Sequence, residues 1–205
     1  MKFKAFLSSK MENLSYLLYD DKGSAAVIDP SWNSCEILKE AEKLGLNIKS
    51  VLLTHGHYDH TEGLDIFEKE ETKTYLGRED LFLIGKELKR PVYLKDLEKL
   101  KIVDEDIICL HTPGHSPGSY CFLCQGELFT GDTLFPGCCG RVDLPGSDPR
   151  AMRNSLLKLS SLEPRTRIHS GHSYNGGEST IEKEIKTNPC LLNLKDEDEF
   201  FNAIL

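Results

Sequence analysis

Residues 48–60 read IKSVLLTHGHYDH. The first six are rich in β-branched residues and leucine, which predicts a buried strand. That strand runs directly into Thr54-His55, so the heptad THGHYDH lies at a strand's carboxyl end, where α/β sheets place their ligand sites. The chain has seven histidines and spends three of them, with an aspartate, in this one loop. In extended backbone, positions 55 and 57 point to the same side. Asp59 and His60 follow after the chain turns and can face a second point nearby. One loop can therefore serve two adjacent metals.

Three further loops at strand ends carry metal-capable side chains: His115 in HTPGHSPGS (111–119), Asp132 in FTGDTLF (129–135) and His172 in IHSGHSYNGG (168–177). Imidazole nitrogen and carboxylate oxygen suit zinc, iron or manganese. Two divalent cations set against two aspartates and one hydroxide leave such a site nearly neutral. A hydroxide held between metals is a nucleophile at neutral pH, and a metal can stabilise the oxyanion formed on a carbonyl. Hydrolysis of an ester, thioester, lactone or amide fits that chemistry. A departing thiolate needs no strong general acid, and the sequence offers no obvious one. Thioester or ester cleavage is the best chemical fit, with Asp59 orienting the hydroxide as well as binding metal.

The rest of the chain bounds this reading. A length of 205 residues predicts one α/β domain spanning 1–205, large enough to bury a core without disulfides. No stretch approaches the length of a membrane helix, and the apolar run in MKFKAFLSSKMENLSY is too short for a signal peptide. The expected location is the cytoplasm, away from membranes. A net charge of −8 argues against a nucleic-acid partner. The seven cysteines are odd in number and irregularly spaced, which fits a reduced protein. A small-molecule substrate is expected, and a homo-oligomer is left open.

Strand-like and helical runs alternate along the sequence. KFKAFL, NLSYLLY and SAAVIDP read as a meander turning at Asp21-Lys22-Gly23; residues 34–44 read as a helix ended by Gly45. Helices are expected at 62–70 and 79–88 around the strand TKTYLG, and residues 91–106 read as irregular. DIICLH, SYCFLC and ELFTGD read as strands, the last two joined at Gln125-Gly126. Asp148-Pro149 starts a helix to about Ser160. TRIHSGH gives a final strand and loop, and two short helices close the chain.

HxHxDH, then TPGH, then a Gly-Asp after a strand, then a late Gly-His, in that order, resemble the metallo-β-lactamase-fold superfamily over about residues 10–190. HTPGHSPGS, FTGDTLF, GRVDLPG (140–146) and the closing pattern of EIKTNP (184–189) resemble its glyoxalase II-like branch more closely. The resemblance implies a four-layer αβ/βα sandwich with two metals, most often zinc, at one edge of its sheets. It assigns His55, His57 and His115 to one metal, Asp59, His60 and His172 to the other, and Asp132 as the bridge. Only 33 residues (205 minus 172) follow His172, too few for the helical domain that supplies much of the glutathione site in glyoxalase II. Persulfide dioxygenases also resemble this chain, through GCCGRVD. They imply a single iron held by His57 or His55, His115 and Asp132. RNA-processing relatives share the metal motif, but this chain has neither the inserted domain nor the basic exosite they carry.

The remaining candidates have plainer readings. His111 and His169 are expected as strand-end residues or hydrogen-bonders. Cys121 and Cys124 should point to opposite faces of one strand and pack in cores. Cys138 and Cys139 are expected to pack in a glycine-rich loop. Arg141, Tyr174 and Asn175 are candidates for a substrate pocket because they follow metal-ligand loops. For Arg141 the competing expectation is a buried ion pair with Asp143 or Asp148.

Overall fold

The computed structural model describes residues 1–204. One sheet runs in chain order through β1 (Lys2–Leu7), β2 (Leu14–Tyr19), β3 (Ser24–Ile28), β4 (Asn47–Leu52), β5 (Lys73–Leu76) and β6 (Pro91–Tyr93). Its first three strands are antiparallel, and β3 to β6 pair in parallel. The second sheet contains β7 (Lys99–Ile102), β8 (Glu105–His111), β9 (Tyr120–Cys124) and β10 (Glu127–Gly131). After a small ribbon of β11 (Leu134–Phe135) and β12 (Cys138–Cys139), β13 (Arg167–Ser170) and β14 (Glu178–Thr180) complete it in the order β14-β13-β10-β9-β8-β7. Here β10 and β13 pair in parallel.

Two-residue periodicity explains why two sheets give three apolar cores. Leu18, Ala26, Ile28 and Leu52 point inward from the first sheet and meet Ile107, Cys109, Phe122 and Phe129 from the second. Their neighbours Leu17, Val27 and Val51 point outward, onto Ile37 and Ala41 of α1 (Ser34–Lys43). On the second sheet's outer face, Leu110, Cys121, Leu128 and Ile168 pack against α4 (Pro149–Ser160), α5 (Ile181–Thr187), α6 (Pro189–Leu192) and α7 (Glu197–Ile204). Two short helices, α2 (Tyr58–Thr61) and α3 (Leu81–Ile84), sit near the first sheet's carboxyl edge. Each buried Leu or Phe here contributes about 1.5–3 kcal/mol, and the result is a four-layer αβ/βα sandwich. Cys124 faces the inter-sheet core and Cys121 the helices, the opposite-face packing that their odd spacing implies. No helix among the described residues is long and apolar enough to cross a membrane.

Three expectations are corrected. The helix expected over 62–70 is instead α2 followed by a 3-10 turn at Leu64–Ile66. Gly63 lies against α1 with its N–H bonded to the Pro30 carbonyl, and a Cβ there would come within 2.1 Å of Ser34 Oγ. That close approach bends the chain where a helix would run straight. The helix over 79–88 shrinks to α3, stopped at Gly85 with φ +66°. Residues 91–106 contain β6 and β7, short edge strands. In β7, Leu100 and Ile102 are buried while Lys99 and Lys101 face solvent, an alternation already present in KLKI. By contrast, Asp148 caps α4 with its side chain, and Gln125-Gly126 turns the β9–β10 hairpin with both φ angles positive.

Asp80, fully buried, fastens two of the metal-motif loops together. Its carboxylate accepts the Gly56 N–H at 2.8 Å, the Gly118 N–H at 2.6 Å and the Ser116 hydroxyl at 2.6 Å. Gly56 separates His55 from His57, and Ser116 follows His115. Truncating Asp80 would strand three buried donors, at about 1–3 kcal/mol each. We expect Asp80→Ala to lose about 3 kcal/mol or more in urea unfolding and to lower Tm by about 6–12 °C. An unchanged unfolding midpoint would contradict this bracing role.

Candidate metal centre

Loops at one edge of the sandwich gather the chemistry. His55 and His57 follow β4, Asp59 and His60 lie in α2, His115 follows β8, Asp132 follows β10 and His172 follows β13. His55, His57 and His115 bring one ligand atom each to within 4.8 Å of one another, and so do Asp59, His60 and His172. His57 Nδ1 and His115 Nε2 are 2.9 Å apart, and the Nε2 atoms of His60 and His172 are 3.3 Å apart. Asp132 lies between the groups: Oδ1 is 3.4 Å from His60 Nε2, and Oδ2 is 3.5 Å from His115 Nε2 and 3.3 Å from His172 Nε2.

The outer nitrogens show which way the rings are set. His115 Nδ1 donates to the Arg141 carbonyl at 2.9 Å, and His172 Nδ1 to the Met11 carbonyl at 2.7 Å. His60 Nδ1 lies 3.0 Å from Asp29 Oδ2, and His55 Nδ1 lies 3.1 Å from Thr54 Oγ1. Bonding at Nδ1 leaves Nε2 as the inward ligand atom, the usual arrangement around metal-binding imidazoles. His55 Nε2 and Asp132 Oδ1 are buried with no hydrogen-bond partner among the described residues. Orphaned acceptors of this kind are costly unless something positive meets them, so the donor set fits divalent cations.

Close backbone approaches make room for the cluster. A Cβ on Gly171 would sit 2.5 Å from Asp132 Oδ1 and 2.7 Å from His60 Cε1; one on Gly140 would sit 1.8 Å from the Asp132 carbonyl oxygen. Only glycine fits at either place. A third His/Asp group, Asp29 with His55 and His60, has another use. Asp29 accepts the Thr54 N–H at 2.7 Å and the Thr54 hydroxyl at 2.5 Å besides facing His60, so it orients the loop. Asn13 is buried and donates to Asp59 Oδ2 at 3.0 Å, fixing that carboxylate. Neither residue was apparent in the sequence. For Asp29 the available signal was an Asp-Pro closing an apolar strand.

The other candidates separate by position. Tyr174 lines the cavity above the cluster and stacks on His172 with centroids 4.8 Å apart. Arg141 also lines it, but its guanidinium is exposed and grips Asp143 at 2.9 and 2.8 Å, so the expected pair forms at the surface and not in the interior. Asn175 is not among the residues lining the cavity. Its amide donates to the Pro136 carbonyl at 2.9 Å and supports the 135–139 loop. Glu184 and Asn188 brace the same loop: Glu184 accepts the Gly137 N–H at 2.7 Å, and Asn188 Nδ2 donates to the carbonyls of Phe135 and Cys138 at 3.2 and 3.1 Å. Burial pushes the Cys138 thiol up to about 11, while a hydrogen bond with Cys190, then burial, holds Cys139 protonated. His111 bonds the Pro117 carbonyl at 3.0 Å, and His169 pairs with Glu127 at 2.6 Å.

Charge is shared unevenly between the two groups. Burial, then neighbouring imidazoles, push His55 well below the ordinary histidine range; burial and His115 bring His57 down to about 4. Burial also opposes charge on His172, but Asp132 and Asp59 outweigh it and push this imidazole up to about 11. Burial opposes ionisation of Asp132, yet the imidazolium groups hold its carboxyl down to about 2. In the metal-free protein His172 therefore carries a proton at neutral pH. Its stabilising contribution to the metal-free fold is complete below 6.5 and is lost as pH rises through about 11. A metal must displace that proton. We expect calorimetry in buffers of different ionisation enthalpy to show at least about one proton released per chain at pH 8, with apparent metal affinity rising with pH. Binding without proton release would contradict the assignment of His172 as a ligand.

The family model of the metallo-beta-lactamase superfamily matches residues 11–172. The chain is 30% identical to the probable polyketide biosynthesis zinc-dependent hydrolase PksB of Bacillus subtilis, over 92% of this chain and 85% of that protein. It is 34% identical to the hydroxyacylglutathione hydrolase GloC of Haemophilus influenzae, over 85% of this chain and 91% of that protein. The crystal structure of ETHE1 from Myxococcus xanthus superposes with a TM-score of 0.88 at 25% identity, covering 100% of this chain and 90% of that one. Ordered motifs, sandwich architecture and extended similarity agree, and the chain belongs to the metallo-beta-lactamase superfamily.

Proposed function

We propose that this protein is a binuclear metallohydrolase that cleaves a thioester or ester. The observation that carries this reading is the position of Asp132, within 3.5 Å of ligand nitrogens from both groups. In the proposed arrangement His55, His57 and His115 hold one divalent cation, Asp59, His60 and His172 hold the other, and Asp132 joins them. The similarity to a zinc-dependent hydrolase and a hydroxyacylglutathione hydrolase supports hydrolysis, with zinc as the first metal to test and iron or manganese accepted by the same ligands. When bound, the cations supply an acidified water and positive charge for a developing oxyanion.

The chain's own groups set the rest. Hydrogen bonds from His172 and Asn13, with the charge on His60, overcome burial and hold the Asp59 carboxyl far below its usual range. It is therefore ionised throughout the working range and can orient the attacking water as an acceptor. Beside the metal-capable groups, the cavity wall offers the hydroxyls of Tyr58 and Tyr174 and the Cys138 thiol, which burial pushes up to about 11, and no further carboxylic acid among the described lining residues. A thiolate, whose conjugate acid has a pKa of about 8.5, leaves without such help; an alkoxide or amine does not. The site is thus better matched to thioesters than to esters.

The test is hydrolysis of a thioester and ester panel by zinc-loaded protein beside Asp132→Ala. We expect measurable thioester turnover, and a variant at least about 1,000-fold slower in kcat/KM that binds little metal. A variant keeping full metal content and turnover would overturn the bridging role. Failure of the loaded protein on every member would overturn the hydrolase reading.

A further inference from the structure

His57, Asp59, His115, Asp132 and His172 form the floor of a cavity of about 510 Å³, within the range of small-molecule sites. Its walls come from separate segments: Met11 between β1 and β2, Tyr58 in α2, Leu83 in α3, Phe135 in β11, Leu144 ahead of α4 and Tyr174 after β13. All six present carbon, sulfur or aromatic surface. Met11, Tyr58 and Tyr174 are 47%, 60% and 42% exposed. A single exposed apolar side chain is ordinary, but a ring of them around a polar floor marks a binding surface.

The rim is also fixed in place. Met11 and Glu12 both adopt left-handed backbone, with φ of 52° and 55°. Two such residues in succession are strained and need outside support. The His172 Nδ1–H bonds the Met11 carbonyl at 2.7 Å, and the Ser173 N–H bonds the Glu12 carbonyl at 2.9 Å. The same clamp that orients a metal-site imidazole therefore holds the methionine at the mouth. There Met11 Sδ accepts the Tyr58 hydroxyl at 3.3 Å, and Tyr58 in turn packs edge-on against Trp32. Charge on the wall is already matched. Arg141 is the one guanidinium among the described lining residues, no lysine accompanies it, and Asp143 engages it with two hydrogen bonds.

We propose that this cavity takes an apolar acyl chain, so that the substrate is a thioester or ester of a hydrocarbon-like acid. The proposal rests on the hydrolase reading and narrows its substrate class. A substrate whose recognised part carries carboxylates would be desolvated against hydrocarbon with no unpaired lysine or arginine among the described lining residues to meet it. An acyl chain instead gains up to about fourfold in kcat/KM for each methylene buried, the equivalent of about 0.8 kcal/mol.

The experiment measures kcat/KM of zinc-loaded protein on N-acetylcysteamine thioesters of acetate, butanoate, hexanoate and octanoate, with acetyl-, hexanoyl- and lactoylglutathione alongside. We expect a rise of at least about tenfold from acetyl to hexanoyl on either thiol. Leu83→Asn and Leu144→Asn should each reduce the hexanoyl-to-acetyl ratio by about threefold or more. A flat or falling series in an active enzyme, a preference for lactoylglutathione over the hexanoyl thioesters, or a ratio unchanged in both variants would overturn the acyl proposal while leaving the hydrolase intact. No hydrolysis of any member would instead overturn the reading beneath it.

Discussion

Seven metal-capable side chains meet at one edge of two sheets, and most of them are buried. Imidazoles and carboxylates that are packed together away from water lose solvation and leave lone pairs without partners. The metal-free protein relieves part of this by moving protons. His172 is held charged beside Asp132 and Asp59, and His60 is raised by Asp132 and Asp29 against its burial, while burial and neighbouring imidazoles lower His55 and His57. His55 Nε2 and Asp132 Oδ1 still make no hydrogen bond among the described residues. The cluster is thus a set of donors arranged for cations, and much of the surrounding structure serves to hold it together.

That holding is done by buried side-chain hydrogen bonds and by close backbone approach. Asp29, Asp80 and Asn13 tie the ligand loops to each other and to the strands beneath them. Gly140 and Gly171 let backbone approach where any side chain would collide with Asp132. The sandwich supplies the platform: alternate residues on β4, β9 and β10 bury on both faces, so the strand ends cannot shift without disturbing two cores at once. Glu184 and Asn188 extend the support to the 135–139 loop, which brings Phe135 and Cys138 to the cavity wall.

The ligand loops were legible because each sets an uncommon, chemistry-bearing residue directly after an apolar run. THGHYDH, TPGH, TGD and SGH carry the signal locally, and family resemblance supplied the order. Bracing residues lack such a signal. Asp29 and Asp80 act on groups 24 to 38 positions away, and apart from the Asp-Pro that closes β3 nothing beside them in sequence sets them apart from a turn or surface aspartate. Tertiary contact also decided the misread helices: Leu64 and Phe67 have helical spacing, but Gly63 is pinned against α1 and the turn tightens. The edge strands β6 and β7 were short and charged enough to pass for loop, although KLKI alternates as a half-buried strand should. Arg141 lines the cavity, yet its partnership with Asp143 lies in solvent, where such a pair contributes little.

The central claim is that two metals sit on either side of Asp132. Elemental analysis of protein purified without added metal, with and without oxygen, tests it most directly. The account predicts about two divalent metals per chain, whatever their identity. One iron per chain and little else would contradict it, and would favour the single-iron dioxygenase arrangement on the same ligands.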